Sequence, residues 1–289
     1  MALHTRSNSL PSRPHLIIEE VDELLCRLRS SEATSTSSSS ICNKLSGLQD
    51  LHDSVDRFLQ LPLTQQALAQ EQNEKWTNEL LDGSLRLLDV CGTAKDALLQ
   101  TKECVQDLQS IMRRRRGGET GALTSEVRKY LTSRKMVKKT IQKAMKNLKG
   151  TKNRSTFSSL NKDSETISIV SELRDVEAVT LAVFESLLSF ISGPKSQPDS
   201  SWSLVSKMMQ SKQVACEEET EVNEFAGVDA SLQSLIGHKT SKSHSQSADN
   251  AHNQLEKLDA CIQDQEDGLE CLFRQMIKTR VSLLNILNH

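Results

Sequence analysis

The sequence contains few aromatic residues and no long apolar run. Phe, Trp and Tyr make up 3% of its 289 residues, which argues against a thick globular core built on sheets. No stretch reaches the roughly 18 consecutive apolar residues of a membrane-spanning helix, and residues 1–15 lack the apolar segment of a secretory signal peptide. We therefore expect a cytoplasmic protein, with a nuclear or peripheral-membrane location as alternatives.

The short motifs of catalytic and phosphate-binding sites are also missing. The chain has no G-x-x-x-x-G-K-[ST], G-x-G-x-x-G, G-x-S-x-G or H-E-x-x-H pattern. Its seven histidines are scattered over loops, ends and helix surfaces, whereas a metal site needs several ligands at close spacing. His52 and Asp56 would share a helix face, which we interpret as a solvated polar face. We predict no catalytic residues, no metal, no cofactor and no small-molecule substrate.

Cysteine usage points to a reducing compartment. The chain has seven cysteines, an odd number, and no C-x-x-C pair. Several of them fall at helix-seam positions, where a thiol behaves as a small apolar side chain.

The sequence is rich in apolar residues that alternate four and three positions apart. We predict one very long helix over Gln65–Arg116, which would span roughly 75 Å at about 1.5 Å per residue. Its seam residues are Leu87, Cys91, Ala94, Leu98, Thr101, Val105, Leu108 and Met112. Such a helix needs partners along its length, so we predict an all-α fold, an elongated bundle of about six or seven long amphipathic helices with heptad-like seams.

Similar patterns predict the other helices over residues 14–29, 41–61, 124–149, 165–192 and 250–288, with shorter segments near 202–209 and 222–236, the latter broken by Gly227. Pro62 is expected to end the second helix, and Thr64 to cap the long one. The segment 165–192 is apolar around most of its circumference, so we place it at the bundle centre. Gly83 and Gly92, inside the long helix, are interpreted as points of close helix contact or of a slight bend.

Polar segments separate these helices. Residues 1–13 are expected to be a disordered tail, and residues 14–289 one helical-bundle domain. Flexible linkers are predicted near 30–40, 150–163, 194–200 and 237–249, including a mobile loop over His238–Ser247.

The net charge of −2 conceals a strong separation of sign. Between Arg113 and Lys162 the chain has sixteen Lys and Arg residues against Glu119 and Glu126, so this segment carries +14 and the remainder −16. The predicted basic surface of helix 124–149 consists of Arg128, Lys129, Arg134, Lys135, Lys138, Lys139, Lys143 and Lys146. An acidic protein or an anionic membrane would suit it, as would internal pairing with the acidic remainder. Nucleic acid is the least favoured partner, because Tyr130 is the helix's single aromatic residue.

Two short motifs suggest further interactions. Arg6, Ser7, Ser9 and Pro11 form a pattern in which Ser9 has arginine at −3 and proline at +2, as basophilic kinases and phosphoserine readers favour. Arg113, Arg114, Arg115 and Arg116 are compatible with a nuclear localisation patch or with an ordinary basic helix C-terminus.

Several long blocks in order resemble one known family. They include RSNSLPSRPH (6–15), LQDLHDSVDRFLQLPLTQQAL (48–68), ELLDGSLRLLDVCGTAKDALLQTKE (79–103), VACEEETEVNEF (214–225) and GLECLFRQMIKTRVSLLNILNH (268–289). They resemble the plant-specific domain-of-unknown-function family related to the BYPASS proteins. The resemblance implies a plant protein without known catalysis, linked to root and shoot development. We therefore expect a non-enzymatic interaction or regulatory protein with protein partners; the alternative is a peripheral membrane adaptor that uses helix 124–149.

Overall fold

The computed structural model describes residues 16–31, 37–70, 74–114, 120–152, 165–194, 223–237 and 241–288. These residues form eight α-helices and no strand, so the all-α prediction is confirmed. The helices are α1 (Leu16–Ser31), α2 (Ser38–Leu59), α3 (Pro62–Gln70), α4 (Glu74–Arg114), α5 (Thr120–Lys152), α6 (Glu165–Ser192), α7 (Glu224–Gly237) and α8 (Ser241–Leu287). The predicted tail over residues 1–13 lies outside the described residues.

The two longest helices, α4 and α8, pack antiparallel. Lys102 of α4 pairs with Glu266 at 2.5 Å, while Arg280, almost four turns beyond Glu266 along α8, bonds to Ser84 near the start of α4. The predicted α4 seam is buried from Leu87 to Leu108, and α8 with its 47 residues spans about 70 Å. These long shared seams make the bundle elongated, as predicted.

Helix α6 contacts α1 to α5 and also α7. Val183, Phe184, Leu187 and Leu188 are almost fully buried, which agrees with the predicted central position of this helix. Gly193 ends α6 with a positive φ of 73°, a conformation that glycine adopts without a steric penalty.

The predicted start of the long helix is wrong. Pro62 does not merely follow α2, which ends at Leu59, but is the first residue of α3, where its missing N–H costs nothing. Thr64 lies buried inside α3 and is not a cap. α3 ends at Gln70 and α4 begins at Glu74, and continuity between them falls on residues outside the described part of the chain.

Three predicted breaks are also wrong, because glycine and short polar residues do not by themselves stop a helix that is stabilised by packing. α5 begins at Thr120 and includes Gly121, and it continues to Lys152. α7 passes through Gly227 without interruption, since Phe225 and Val228 anchor it on both sides of that glycine. α8 begins at Ser241, so the predicted mobile loop is wrong for residues 241–247.

A serine caps the start of α2. Ser37 has extended backbone angles, and its hydroxyl accepts a hydrogen bond from the Ser40 amide at 3.2 Å. Asn223 caps α7 by accepting from the Ala226 amide at 3.0 Å and also donates to the Phe190 carbonyl of α6 at 2.8 Å. This link holds α7 beside the end of α6 and next to α5.

Two cysteines occupy core positions, as the seam pattern predicts. Cys91 and Cys261 are buried, and burial raises the pKa of each thiol to about 12. Such thiols remain protonated at neutral pH and act as small apolar side chains.

Candidate interaction surface

The predicted basic helix is α5, and its buried side faces α4, α6 and α7. The buried apolar residues recur at helical spacing and are Leu123, Val127, Tyr130, Val137, Ile141 and Leu148. Because they occupy one side of α5, the opposite side faces solvent.

The solvent side carries a row of cations. Its exposed Lys and Arg residues are Arg128, Lys129, Lys135, Lys139, Lys143, Lys146 and Lys149. Arg128, Lys135 and Lys146 are separated by close to whole numbers of helical turns, so they lie along one line of about 27 Å.

Most of these cations have no counter-charge. Lys129 bonds to Glu126 at 2.9 Å, and this hydrogen bond raises the pKa of Lys129. The other six pair with no residue in the part of the chain that the structure describes. We call these six the basic face: Arg128, Lys135, Lys139, Lys143, Lys146 and Lys149.

Two residues of the predicted basic surface point inward, which corrects that prediction. Arg134 is only 2% exposed: its Nη2 donates to the Ile191 carbonyl at 2.8 Å, and its guanidinium lies 5.0 Å from the centre of the Phe225 ring. Lys138 is half-buried and pairs with Asp229 at 2.9 Å. Both follow the buried Tyr130 at successive four-residue steps, so they lie on the same side of α5 as its apolar seam.

Asp229 of α7 collects three donors from α5. Its Oδ1 accepts from the Tyr130 hydroxyl at 3.1 Å and from Arg134 Nε at 3.3 Å, while its Oδ2 accepts from Lys138. Burial raises the pKa of Tyr130 well above its ordinary value, so the phenol stays a donor. The cluster connects α5 and α7 inside the bundle. In it, Asp229 forms ion pairs with two cations of α5, Arg134 and Lys138.

A shallow groove of about 890 Å³ runs along α5 beside the basic face. It is lined by Thr124, Ser125, Arg128, Lys129, Thr132, Ser133 and Met136. Met136 is 55% exposed, so the groove combines cations, hydroxyl groups and one apolar side chain.

The other predicted sites lie at the limits of the structure. Arg6, Ser7, Ser9 and Pro11 are outside the described residues. Arg113 and Arg114 are exposed at the end of α4, and Arg115 and Arg116 are not described. The phosphoserine motif and the localisation patch remain predictions.

His52 and Asp56 do not form a solvated face, so that interpretation is wrong. Both are buried, because α6 and α8 cover this side of α2. Asp56 accepts from Lys278 at 2.9 Å, Ser282 at 2.9 Å and Gln60 at 2.7 Å. Nothing in the sequence marks this burial, since Lys278 and Ser282 of α8 are more than 200 positions from Asp56 in the chain. Among the described residues, no cluster of three or more His, Cys, Asp or Glu side chains could hold a metal ion.

None of the described helices combines the length and the apolar character that crossing a membrane requires. In a comparison with known protein families, the family model of Protein BPS1 matches residues 44–286. No curated protein and no solved structure matches significantly. The family match covers most of the chain and agrees with the resemblance of its sequence blocks to the BYPASS-related proteins. The chain belongs to the BPS1 family.

Proposed function

We propose that the protein is a non-enzymatic interaction protein that binds an acidic partner protein through the basic face of α5. Family membership indicates a role in plant development, and we propose that this role concerns the root and the shoot. The proposal rests on one observation: the six exposed cations of the basic face have no ion-pair partner among the described residues.

Local electrostatics support this proposal. Asp229 already pairs with Arg134 and Lys138, and Glu126 pairs with Lys129, so neither of these two acids pairs with the basic face. An exposed ion pair is worth about 0–1 kcal/mol, so a partner must engage several of the six cations at once. The resulting affinity falls steeply as salt rises.

Two features of the interior support a protein without catalysis. The charges of Asp56 and Asp229 are each satisfied by donors from other helices or from the same turn. These buried carboxylates therefore connect neighbouring helices through hydrogen bonds and ion pairs.

An anionic membrane is the second candidate. The cations lie in a nearly straight row on a helix whose outer side is free, and Met136 is exposed beside them. Each cation near an anionic surface contributes about 1 kcal/mol, so the row would hold the protein at the membrane weakly and reversibly.

Replacing Lys135, Lys139, Lys143 and Lys146 together with glutamine tests both candidates. Lys138 is left intact because it pairs with Asp229. The same four positions changed to arginine are the matched control, since they keep the charge. Binding is measured to poly-glutamate and, by sedimentation, to vesicles with and without phosphatidylserine.

We expect the wild type and the arginine variant to bind poly-glutamate with a steep salt dependence and the glutamine variant to lose most of that binding. Charge-dependent sedimentation with phosphatidylserine vesicles, without binding to poly-glutamate, would favour the membrane instead. If the glutamine variant binds both probes like the wild type, the basic face is only a solvated surface.

A further inference from the structure

We propose that the protein forms a symmetric dimer, in which a second copy of this chain covers an apolar surface on the outer side of α4 and α8. This surface is separate from the basic face, which lies on α5. Its six residues come in equal numbers from the two helices, and we call them the apolar strip: Leu81, Leu85 and Leu88 of α4, with Phe273, Ile277 and Val281 of α8.

The α4 half of the apolar strip is a second line of leucines beside the buried seam. Leu81, Leu85 and Leu88 are four and three positions apart, and Gly92 continues the same spacing. Leu85 is 46% exposed, and a Cβ built on Gly92 meets no described atom within 4 Å. The described part of the chain therefore leaves the outer side of this line open to solvent.

The α8 half of the apolar strip lies directly beside these leucines. Arg280 of α8 donates to the Leu81 carbonyl, and the Lys95 ammonium lies 4.8 Å from the centre of the Phe273 ring. Exposed apolar residues are ordinary when scattered singly, whereas a contiguous set across two helices marks an interaction site. Two residues of the α8 half expose almost half of their surface, Ile277 (40%) and Val281 (48%).

The charges along the two edges of the apolar strip are opposite in sign. On the α8 edge lie Arg274 and Lys278, and α8 has no acid after Glu270. Lys278 pairs with Asp56 of α2, so this edge is the one away from α4. On the α4 edge, three exposed acids follow one another at seven-residue steps and form no ion pair with any described residue: Asp82, Asp89 and Asp96.

This charge layout fits a second copy of the same chain. A twofold axis parallel to the helices brings α4 of one copy opposite α8 of the other, so that the apolar strips meet and each acidic edge lies against a cationic edge. Asp89 then faces Arg274 of the second copy. Arg274 pairs with Glu270 at 3.0 Å, but its side chain is 75% exposed and its guanidinium has further donors. An axis perpendicular to the helices would bring aspartates against aspartates, so the charges select the first arrangement.

The size of the surface indicates a weak, reversible dimer. From Leu81 to Asp96, α4 extends about 22 Å, and two helices side by side are about 20 Å wide. The two copies together would bury roughly 900 Å², which lies in the range of transient interfaces and above most crystal contacts. The dimer should therefore dissociate on dilution through the micromolar range.

Sedimentation equilibrium of the full chain at concentrations up to about 100 µM tests the dimer. Leu85→Glu and Val281→Glu each place a carboxylate in the apolar strip at an exposed position, where the single chain tolerates it. We expect at least about tenfold weaker dimerisation of each variant, because the carboxylate would be buried without a partner. Leu63→Glu is the matched control, since Leu63 is exposed on α3 outside the strip and its replacement leaves dimerisation unchanged. A monomeric wild type, or wild-type dimerisation of either strip variant, overturns the proposal.

Exchanged charges test the arrangement of the two copies and alter no apolar residue. One variant combines Asp82→Lys with Asp89→Lys, and the other carries Arg274→Glu. Lys278 is left intact because it pairs with Asp56. Each variant alone should dimerise at least about tenfold more weakly than the wild type, since like charges then face each other.

An equimolar mixture of the two charge variants should recover the dimer. Its heterodimer has one unchanged pair of edges and one pair in which both signs are exchanged. Circular dichroism checks that every variant keeps its helical fold. A mixture that associates no better than its components overturns the proposal, as does wild-type dimerisation of either charge variant alone.

Discussion

Leu98 and Leu99 are neighbours on α4 that lie in opposite environments. Leu98 is fully buried in the seam, whereas Leu99 is 52% exposed. Leu98→Asp leaves a carboxylate without a partner in an apolar contact, so we expect it to lower the free energy of unfolding by at least about 3 kcal/mol.

Leu99→Asp is the matched control and should change stability by less than about 0.5 kcal/mol. Urea unfolding of both variants measures the difference. Similar losses in the two would mean that the heptad spacing does not identify the buried side of α4.

His52 makes the stability depend on pH. Its Nε2 lies 3.1 Å from the Thr180 hydroxyl, and burial lowers its pKa from 6.5 to about 4. Between these two values the unfolded chain binds a proton at His52 that the folded protein does not. The stability contributed by neutral His52 is therefore complete above about pH 6.5 and is lost as the pH falls toward 4.

We expect the wild type to lose about 2 kcal/mol more than His52→Gln between pH 7 and pH 5. Burial also raises the pKa of Glu172 to about 7, which acts in the opposite direction, since its contribution is lost as the pH rises from 4.5 toward 7. Glu172 is present in both proteins, so it cancels in the comparison. Parallel pH profiles in urea unfolding would show that His52 does not titrate in this way.

At the scale of the element, the two glycines inside α4 differ in their surroundings. A Cβ built on Gly92 meets nothing within 4 Å, whereas a Cβ on Gly83 would overlap the carboxylate of Glu177. Glu177 pairs with Arg86 at 2.5 Å, so an alanine at position 83 displaces an ion-pairing group.

We expect Gly92→Ala to raise the free energy of unfolding by about 0.5–1 kcal/mol through helix propensity. Gly83→Ala should give no such gain. Equal gains in urea unfolding would contradict the close contact at Gly83, which the sequence predicted for both glycines and the structure has only at this one.

The elements themselves follow from the sequence where one face must be buried along many turns. The seam from Leu87 to Leu108 is predicted because its spacing is periodic, and α6 matches its predicted ends at Glu165 and Ser192. Helix ends elsewhere are set by local caps and by packing. Pro62 is compatible with stopping α2 or with starting α3, and spacing alone does not choose between them.

At the scale of the whole molecule, the separation of charge is visible in the sequence, but its pairing is not. Arg134 and Lys138 face inward because α7 docks on α5 and brings Asp229 to them. Those residues are more than ninety positions apart in the chain, so no local pattern relates them.

The unpaired basic face has a consequence for the stability of the whole fold. Lys135, Lys139, Lys143, Lys146 and Lys149 follow one another at three- and four-residue spacing, and each such like-charge pair on a helix costs about 0.2–0.5 kcal/mol. Salt screens this repulsion, so wild-type stability should rise between low and moderate ionic strength.

Changing Lys135, Lys139, Lys143 and Lys146 to glutamine removes four of these pairs at nearly equal helix propensity. We expect the glutamine variant to be about 1–2 kcal/mol more stable than the wild type at low salt, with the difference shrinking as salt is added. The arginine variant should keep the wild-type salt dependence. Urea unfolding at several chloride concentrations measures all three, and a glutamine variant that matches the wild type at every concentration would mean that acids elsewhere in the chain already neutralise the basic face.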